Sequence, residues 1–285
     1  MQTETSGRAQ SKSKSHSEPR GRPQPPGAVR LALEMRVPWE FGASLLALPI
    51  LRSAPRGDGH AVLVFPGLVA SDASTVPLRR YLIDRGYDAR AWGLGRNFGP
   101  GRGTIEACFE KVRELHRETG RKVSLIGWSL GGIYAREAAK VVPEAVRTVI
   151  TLGTPFNGHP KSTNAWRVYE MASGETADSR IGMFNLSKAP PMPTTSIYSR
   201  TDGIVAWQCS LQEAGSQEGG RGDTENIEVE ASHVGLGVNP MSLYAVADRL
   251  AQPDGDWRPF DRSGVRRLFF ADPKRSDWFP SSWFV

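Results

Sequence analysis

Lys122 to Ile133, K-V-S-L-I-G-W-S-L-G-G-I, runs an apolar strand into a serine flanked by glycines. Val123, Leu125 and Ile126 read as a strand buried on both faces, and Ile133 to Val141 (I-Y-A-R-E-A-A-K-V) reads as a helix. Between them Gly127-Trp128-Ser129-Leu130-Gly131 fits G-x-S-x-G, a spacing in which the serine occupies a sharp strand-to-helix turn. The flanking positions must then be small, because the incoming strand and the outgoing helix crowd them. Such a turn lifts the hydroxyl clear of the sheet and points the next N–H at a reacting oxygen. Ser129 is therefore a candidate nucleophile and the N–H of Leu130 a candidate oxyanion donor. The pentapeptide alone also suits a plain strand-to-helix connection, so the surrounding residues must decide.

A serine hydroxyl needs a base, and the base needs a carboxylate that fixes its tautomer and stabilises the imidazolium. Where the nucleophile sits on a turn of this kind, the acid and then the histidine follow it in the chain. Only His159 and His233 follow Ser129. His159 lies in T-P-F-N-G-H-P, before the next strand and before any suitable acid; His233 follows a strand over Asn226 to Glu230, where a loop delivers it to the sheet rim. His233 is the candidate base. His60 and His116 precede the serine and read as a loop residue and a helix-face residue, and His16 falls in a polar leader. The candidate acid is Asp202, on the turn just past a strand over Thr195 to Ser199; Asp178 and Asp223 fall inside an insertion and a Gly/Glu-rich loop. Read structurally, Asp202 would only start a turn with Gly203. A second oxyanion donor should come from the loop after the first central strand, where Phe65-Pro66-Gly67-Leu68 places the Leu68 N–H.

Around this centre, strands and helices alternate. Ala61 to Phe65 is a short apolar strand, Thr75 to Arg85 a helix ended by Gly86, and Tyr87 to Trp92 a strand. Thr104 to Thr119 is a helix ended by Gly120, Val146 to Leu152 and Ile227 to Val229 are strands, and Pro240 to Leu250 is a helix. Repeated βα units with apolar strands predict an α/β fold, a mostly parallel central sheet with helices on both faces. Residues 156–193 interrupt the rhythm and read as a cap-like or lid-like insertion or as a surface excursion with its own small core.

The 285 residues divide into a disordered basic leader (1–27), an N-terminal helical segment (28–58), the catalytic domain (59–251, including the insertion) and an aromatic-rich C-terminal extension (252–285). The helical segment, broken at Pro38 and Pro49, lies on the core or caps a site; contact with a membrane surface is its secondary reading. The aromatics of the extension are expected to pack onto the body, since so many free rings would aggregate. No window reaches the roughly 20 apolar residues needed to span a bilayer, and the apolar run Phe41 to Leu51 is not in a signal-peptide position, which predicts a cytoplasmic protein. Cys108 and Cys209 are too few and too far apart for a metal site or a disulfide framework and read as reduced core residues. The net charge is +6, of which residues 1–30, with six Arg/Lys and two Glu, carry +4. The body is thus near neutral, which argues against nucleic-acid binding by it.

Taken together, the motifs resemble the α/β-hydrolase superfamily, and within it the small bacterial class 2 lipases and their esterase relatives. F-P-G-L resembles the oxyanion loop, V-I-T-L-G-T-P-F-N-G the segment after the next strand, T-S-I-Y-S-R-T-D-G-I-V the acid loop and S-H-V-G-L the histidine loop, in order over about residues 61–250. The resemblance implies a serine hydrolase for carboxylic esters, with Ser129 as nucleophile, Asp202 as acid, His233 as base and Leu68 and Leu130 as oxyanion donors. It implies no cofactor and no metal, and a small-molecule or lipid-like ester as substrate. Lipase elbows commonly carry His before the serine, where this chain has Trp128, and the oxyanion loop has Phe65-Pro66 where His is common; both departures point away from triglyceride. A serine acyltransferase or thioesterase would use the same residues. A non-catalytic binding protein on the same fold is favoured only if Ser129, Asp202 and His233 fail to converge.

Overall fold

The computed structural model describes residues 23–101, 103–158, 162–164, 170, 185–213, 215, 217 and 223–273. Within these residues six strands form one sheet: β1 (Ala61–Phe65), β2 (Asp88–Ala91), β3 (Val123–Trp128), β4 (Val146–Leu152), β5 (Thr194–Tyr198) and β6 (Thr224–Glu228), in the order β2-β1-β3-β4-β5-β6. Every pairing is parallel, so the mostly parallel sheet read from the sequence is wholly parallel here. A parallel sheet must be covered on both faces, and the side-chain period of two does this. Val62 and Val64 point into one apolar cluster and Ala61, Leu63 and Phe65 into the other.

The α-helices bounded within the described residues are α1 (Ala28–Ala32), α2 (Val37–Leu46), α3 (Leu48–Ser53), α4 (Val76–Asp84), α5 (Thr104–Thr119), α6 (Leu130–Val141) and α7 (Pro240–Leu250). Residues of α5 and α6 fill one cluster; residues of α3, α4 and α7 fill the other. Gly120 closes α5 with φ 63°, a left-handed value that costs glycine little. The N-terminal segment breaks at Pro38 and Pro49 as expected, each proline occupying the first turn of the helix that begins there, α2 and α3, where a missing N–H costs nothing. Helix α6 begins at Leu130, before the expected Ile133, because the chain turns into it directly at Ser129. Strand β6 starts earlier than expected: as an edge strand it is half solvated, so Thr224, Glu225 and Asn226 belong to it without an apolar signature.

The chain runs from β1 to β2 on one side and then returns to β3 on the other, so the topological switch lies between β1 and β3. Open α/β sheets keep their crevice there, beyond the carboxyl ends of the strands. Leu68 follows β1 and Ser129 follows β3, on the two sides of that switch.

Other expectations resolve locally. Cys108 and Cys209 are buried free thiols, and burial pushes them up to about 12 and about 11. Of the C-terminal aromatics, Phe260 and Phe270 pack edge to face and join the core beside Tyr244, whereas Trp278, Phe279, Trp283 and Phe284 lie outside the described residues. His60, read as a loop residue, is wholly buried: Nδ1 meets Asp58 and Nε2 lies 2.7 Å from the Ser124 hydroxyl. This second Ser–His–Asp string lies at the amino ends of the strands, with His60 and Ser124 buried and Asp58 exposed at its outer end. Burial, followed by the nearby Arg147 charge, outweighs the Asp58 contact and lowers the His60 pKa, so the string holds β1 to β3 as a neutral hydrogen-bonded pair.

Candidate active site

Ser129 sits at φ 53°, ψ −122°, one of two non-glycine residues with positive φ among those described. The strain is held by two backbone hydrogen bonds, Ser129 N–H to the Leu152 carbonyl (2.8 Å) and Gly132 N–H to the Ser129 carbonyl (3.0 Å). The neighbouring glycines are sterically required. A methyl group on Gly127 would strike the backbone of Gly131 and Gly132, and one on Gly131 would strike the Phe65 and Pro66 carbonyl groups. One on Gly132 would strike Thr154.

Asp202 and His233 arrive from the ends of β5 and β6, the two strands beyond β4, and meet. His233 Nδ1 lies 2.7 Å from Asp202 Oδ2, with both residues buried. The other carboxylate oxygen, Oδ1, accepts the N–H groups of Ile204 (2.8 Å) and Val205 (2.7 Å). With Oδ1 held in this cradle, Oδ2 is left to accept from the histidine, and Nδ1 carries the proton it donates. That leaves Nε2 as the basic nitrogen. Gly153, at φ 56°, makes room for the pair: a methyl there would lie 3.0 Å from His233 Nδ1 and 3.2 Å from Asp202 Oδ2. The competing Asp223 stands at the opposite end of the sheet, its carbonyl bonded to Thr194 N–H at the start of β5. His159 and Asp178 lie outside the described residues.

On the other side of the switch, a methyl on Gly67 would touch Ser129 Cβ at 3.4 Å, which places the loop after β1 against the serine. Neither Leu68 N–H nor Leu130 N–H has a backbone acceptor among the described residues, and Leu130 opens a helix whose first N–H groups need outside partners. The loop is braced by Asn97. Its buried amide donates to the Pro66 carbonyl (2.9 Å) and accepts from Tyr134 (3.0 Å), while its main-chain carbonyl takes Val69 N–H (2.6 Å).

Three further residues complete the site with no distinctive sequence signal. Trp128 donates from Nε1 to the His233 carbonyl (3.0 Å) and packs on Gly237, so the residue before the serine holds the histidine loop. Glu34, between α1 and α2, accepts N–H groups from Gly203 (2.8 Å), His233 (2.8 Å) and Val234 (2.9 Å). Glu40 accepts the Ser232 N–H (2.7 Å) and hydroxyl (2.9 Å) and the Arg36 guanidinium (2.7 Å), which also reaches Thr201 (2.6 Å). A carboxylate among apolar neighbours was the only hint of either role. Burial works against a charged His233, but the Asp202 charge and hydrogen bond, with the Glu34 charge, outweigh it and raise the pKa above the ordinary histidine value. No group of three or more metal-ligating side chains occurs among the described residues.

Residues 39–283 match the model of the α/β hydrolase family, and the chain belongs to that family. Two triacylglycerol lipases, from Pseudarthrobacter phenanthrenivorans and Burkholderia plantarii, are each 42% identical to it over 74 residues, 25% of this chain and 23% and 20% of theirs. The chain thus aligns with less than a quarter of the length of these curated relatives. Lipase B of Aspergillus fumigatus superposes with a TM-score of 0.52 at 18% identity, over 72% of this chain and 56% of that one, a likeness of fold.

Proposed function

We propose that this chain hydrolyses carboxylic esters through an acyl-enzyme on Ser129. The observation that carries the reading is the strained serine turn at the carboxyl end of β3 with a buried, 2.7 Å Asp202–His233 pair delivered by the ends of β5 and β6. The names of the two lipase relatives support an ester as substrate. In this mechanism His233 Nε2 takes the Ser129 proton as Oγ attacks the carbonyl carbon, and the Leu68 and Leu130 N–H groups hold the oxyanion. The proton passes to the departing alkoxide, and water then attacks the acyl-enzyme by the same steps to release the acid. Asp202 keeps the proton on Nδ1 and stabilises the imidazolium.

The test is covalent labelling. A fluorophosphonate should modify the protein on the peptide containing Ser129, and short p-nitrophenyl esters should be hydrolysed and should compete with the label. Labelling elsewhere, or none, would refute the assignment. Measuring thioester cleavage and transfer to an added alcohol alongside separates ester hydrolysis from thioesterase and acyltransferase chemistry.

Glu34 enters this mechanism as a positioning residue. It ties the loop beside Asp202 to the loop bearing His233, and its charge favours the imidazolium. Around the imidazole the charged groups are Asp202 and Glu34, with Glu40 behind Ser232 and Arg36 bridging Glu40 to Thr201. Glu34→Gln should lower kcat/KM by about tenfold, since hydrogen bonds to a charged acceptor are worth about 1.5–3 kcal/mol each and one amide cannot accept all three. The acid limb of the pH profile should move to lower pH, because loss of the anion lowers the His233 pKa. An unmoved limb with a lower Tm would reduce Glu34 to a structural tie.

A further inference from the structure

In the N-terminal arm, residues 28–53, α3 sinks Leu51 into the core, but α2 is built inside out. Helix α2 turns Glu40 and Ser44 inward, where both are buried, and leaves Trp39 81% and Leu46 86% exposed. Just before it Met35 is 82% exposed, and in α3 Ile50 is 61% exposed. A helix resting on a water-soluble body ordinarily turns its apolar stripe to the core and its polar stripe to solvent. The inward polar stripe has a use already described, since it holds the acid and histidine loops. The outward apolar stripe has no use within the described residues, and so many large apolar side chains on one short segment mark a contact surface.

Charge selects what meets it. Between residues 28 and 56 the only acids are Glu34 and Glu40, and both are engaged inward. Its outer surface therefore carries no carboxylate, while Arg52 and Arg56 stand exposed at its end. A second copy of this chain would bring one arginine-flanked face against another, like charge on like. An anionic bilayer surface supplies both requirements, an apolar layer under a sheet of phosphates. No helix among the described residues is long and apolar enough to cross a membrane, so the contact lies in the plane of the interface.

We infer that the outward face of residues 28–53 docks on anionic lipid surfaces, with Trp39, Leu46, Met35 and Ile50 entering the headgroup level and Arg52 and Arg56 meeting lipid phosphates. The inference stands apart from the reaction proposed above, because it uses none of the residues that carry it.

Co-sedimentation of the full chain with vesicles tests it. The protein should sediment with phosphatidylglycerol-rich vesicles, less with pure phosphatidylcholine vesicles, and less in high salt, which screens the arginines. Trp39→Ser/Leu46→Ser should lower the partition coefficient by about tenfold or more, given the apolar area withdrawn from the interface. Arg52→Glu/Arg56→Glu should remove the preference for anionic vesicles while leaving the weaker apolar binding. All four side chains are exposed, so both variants should keep the wild-type Tm and fluorophosphonate labelling rate, which shows them folded. Three outcomes would overturn the inference: no binding of wild type to either vesicle, binding that Trp39→Ser/Leu46→Ser leaves unchanged, or a concentration-dependent dimer in light scattering that this variant dissolves while vesicles go unbound. The second of these would place membrane attraction in the basic residues before residue 28.

Discussion

Ser129→Ala should lower kcat/KM for a short p-nitrophenyl ester by on the order of 10⁴- to 10⁶-fold, the loss seen when one member of a serine–histidine pair is removed. The substitution isolates the chemistry. Alanine retains Cβ, so the positive-φ backbone of the turn, its bond to Leu152 and the crowding of Gly127 and Gly131 are unchanged. Thermal melts should therefore agree within a few degrees, while hydrolysis and fluorophosphonate labelling disappear together. A variant that still cleaved the ester at the wild-type rate would remove Ser129 from the mechanism. His233→Ala should fall comparably, since the proposed mechanism has the two residues act as a unit.

Asp202→Asn is the sharper test of how the histidine is set. In the native site Oδ1 accepts two N–H groups, from Ile204 and Val205, and Oδ2 accepts the Nδ1 proton. An asparagine has one acceptor oxygen, and the two fixed N–H donors claim it. Its NH₂ then faces His233 and donates to Nδ1, which moves the imidazole proton to Nε2, the nitrogen that receives the Ser129 proton in the proposed mechanism. A loss of about 10⁴-fold at neutral pH follows from the wrong tautomer alone. The pH dependence carries a second signature. Asp202 is the main favourable charge raising the His233 pKa, so the residual activity should keep its acid limb at lower pH than wild type. Asp202→Ala, which removes the carboxylate without supplying a donor, should retain more activity than Asp202→Asn. Equal activities of Asp202→Asn and wild type would show that Asp202 only shapes the turn.

Much of this arrangement was legible in the sequence because it is local. The serine turn is a steric fact about Gly127, Gly131 and Gly132, and apolar runs of four to seven residues mark strands that are buried on both faces. The helices over Thr104–Thr119 and Pro240–Leu250 and the strand over Val146–Leu152 appear within the expected bounds. Position beyond a strand end was enough to single out Asp202 and His233, because parallel topology delivers all such ends to one rim. What stayed hidden is long-range. Glu34 and Glu40 belong to an arm joined to the histidine loop across some 190 to 200 residues of chain. No spacing rule connects them, and a glutamate in an amphipathic helix reads as solvated. Asn97 is equally silent, a polar residue in a glycine-rich loop until Pro66 and Tyr134 are seen around it. Trp128 was noticed only as a departure at the position before the serine; its indole bond to the His233 carbonyl gives that departure a mechanical use.

The family-matched stretch begins at Trp39, whereas Glu34 lies upstream of it. A catalytic core excised at that boundary, or exchanged there with a relative's, would leave the N–H groups of Gly203, His233 and Val234 without their acceptor. The unit that such an exchange must move intact is therefore larger than the family-matched stretch, since it has to include Glu34.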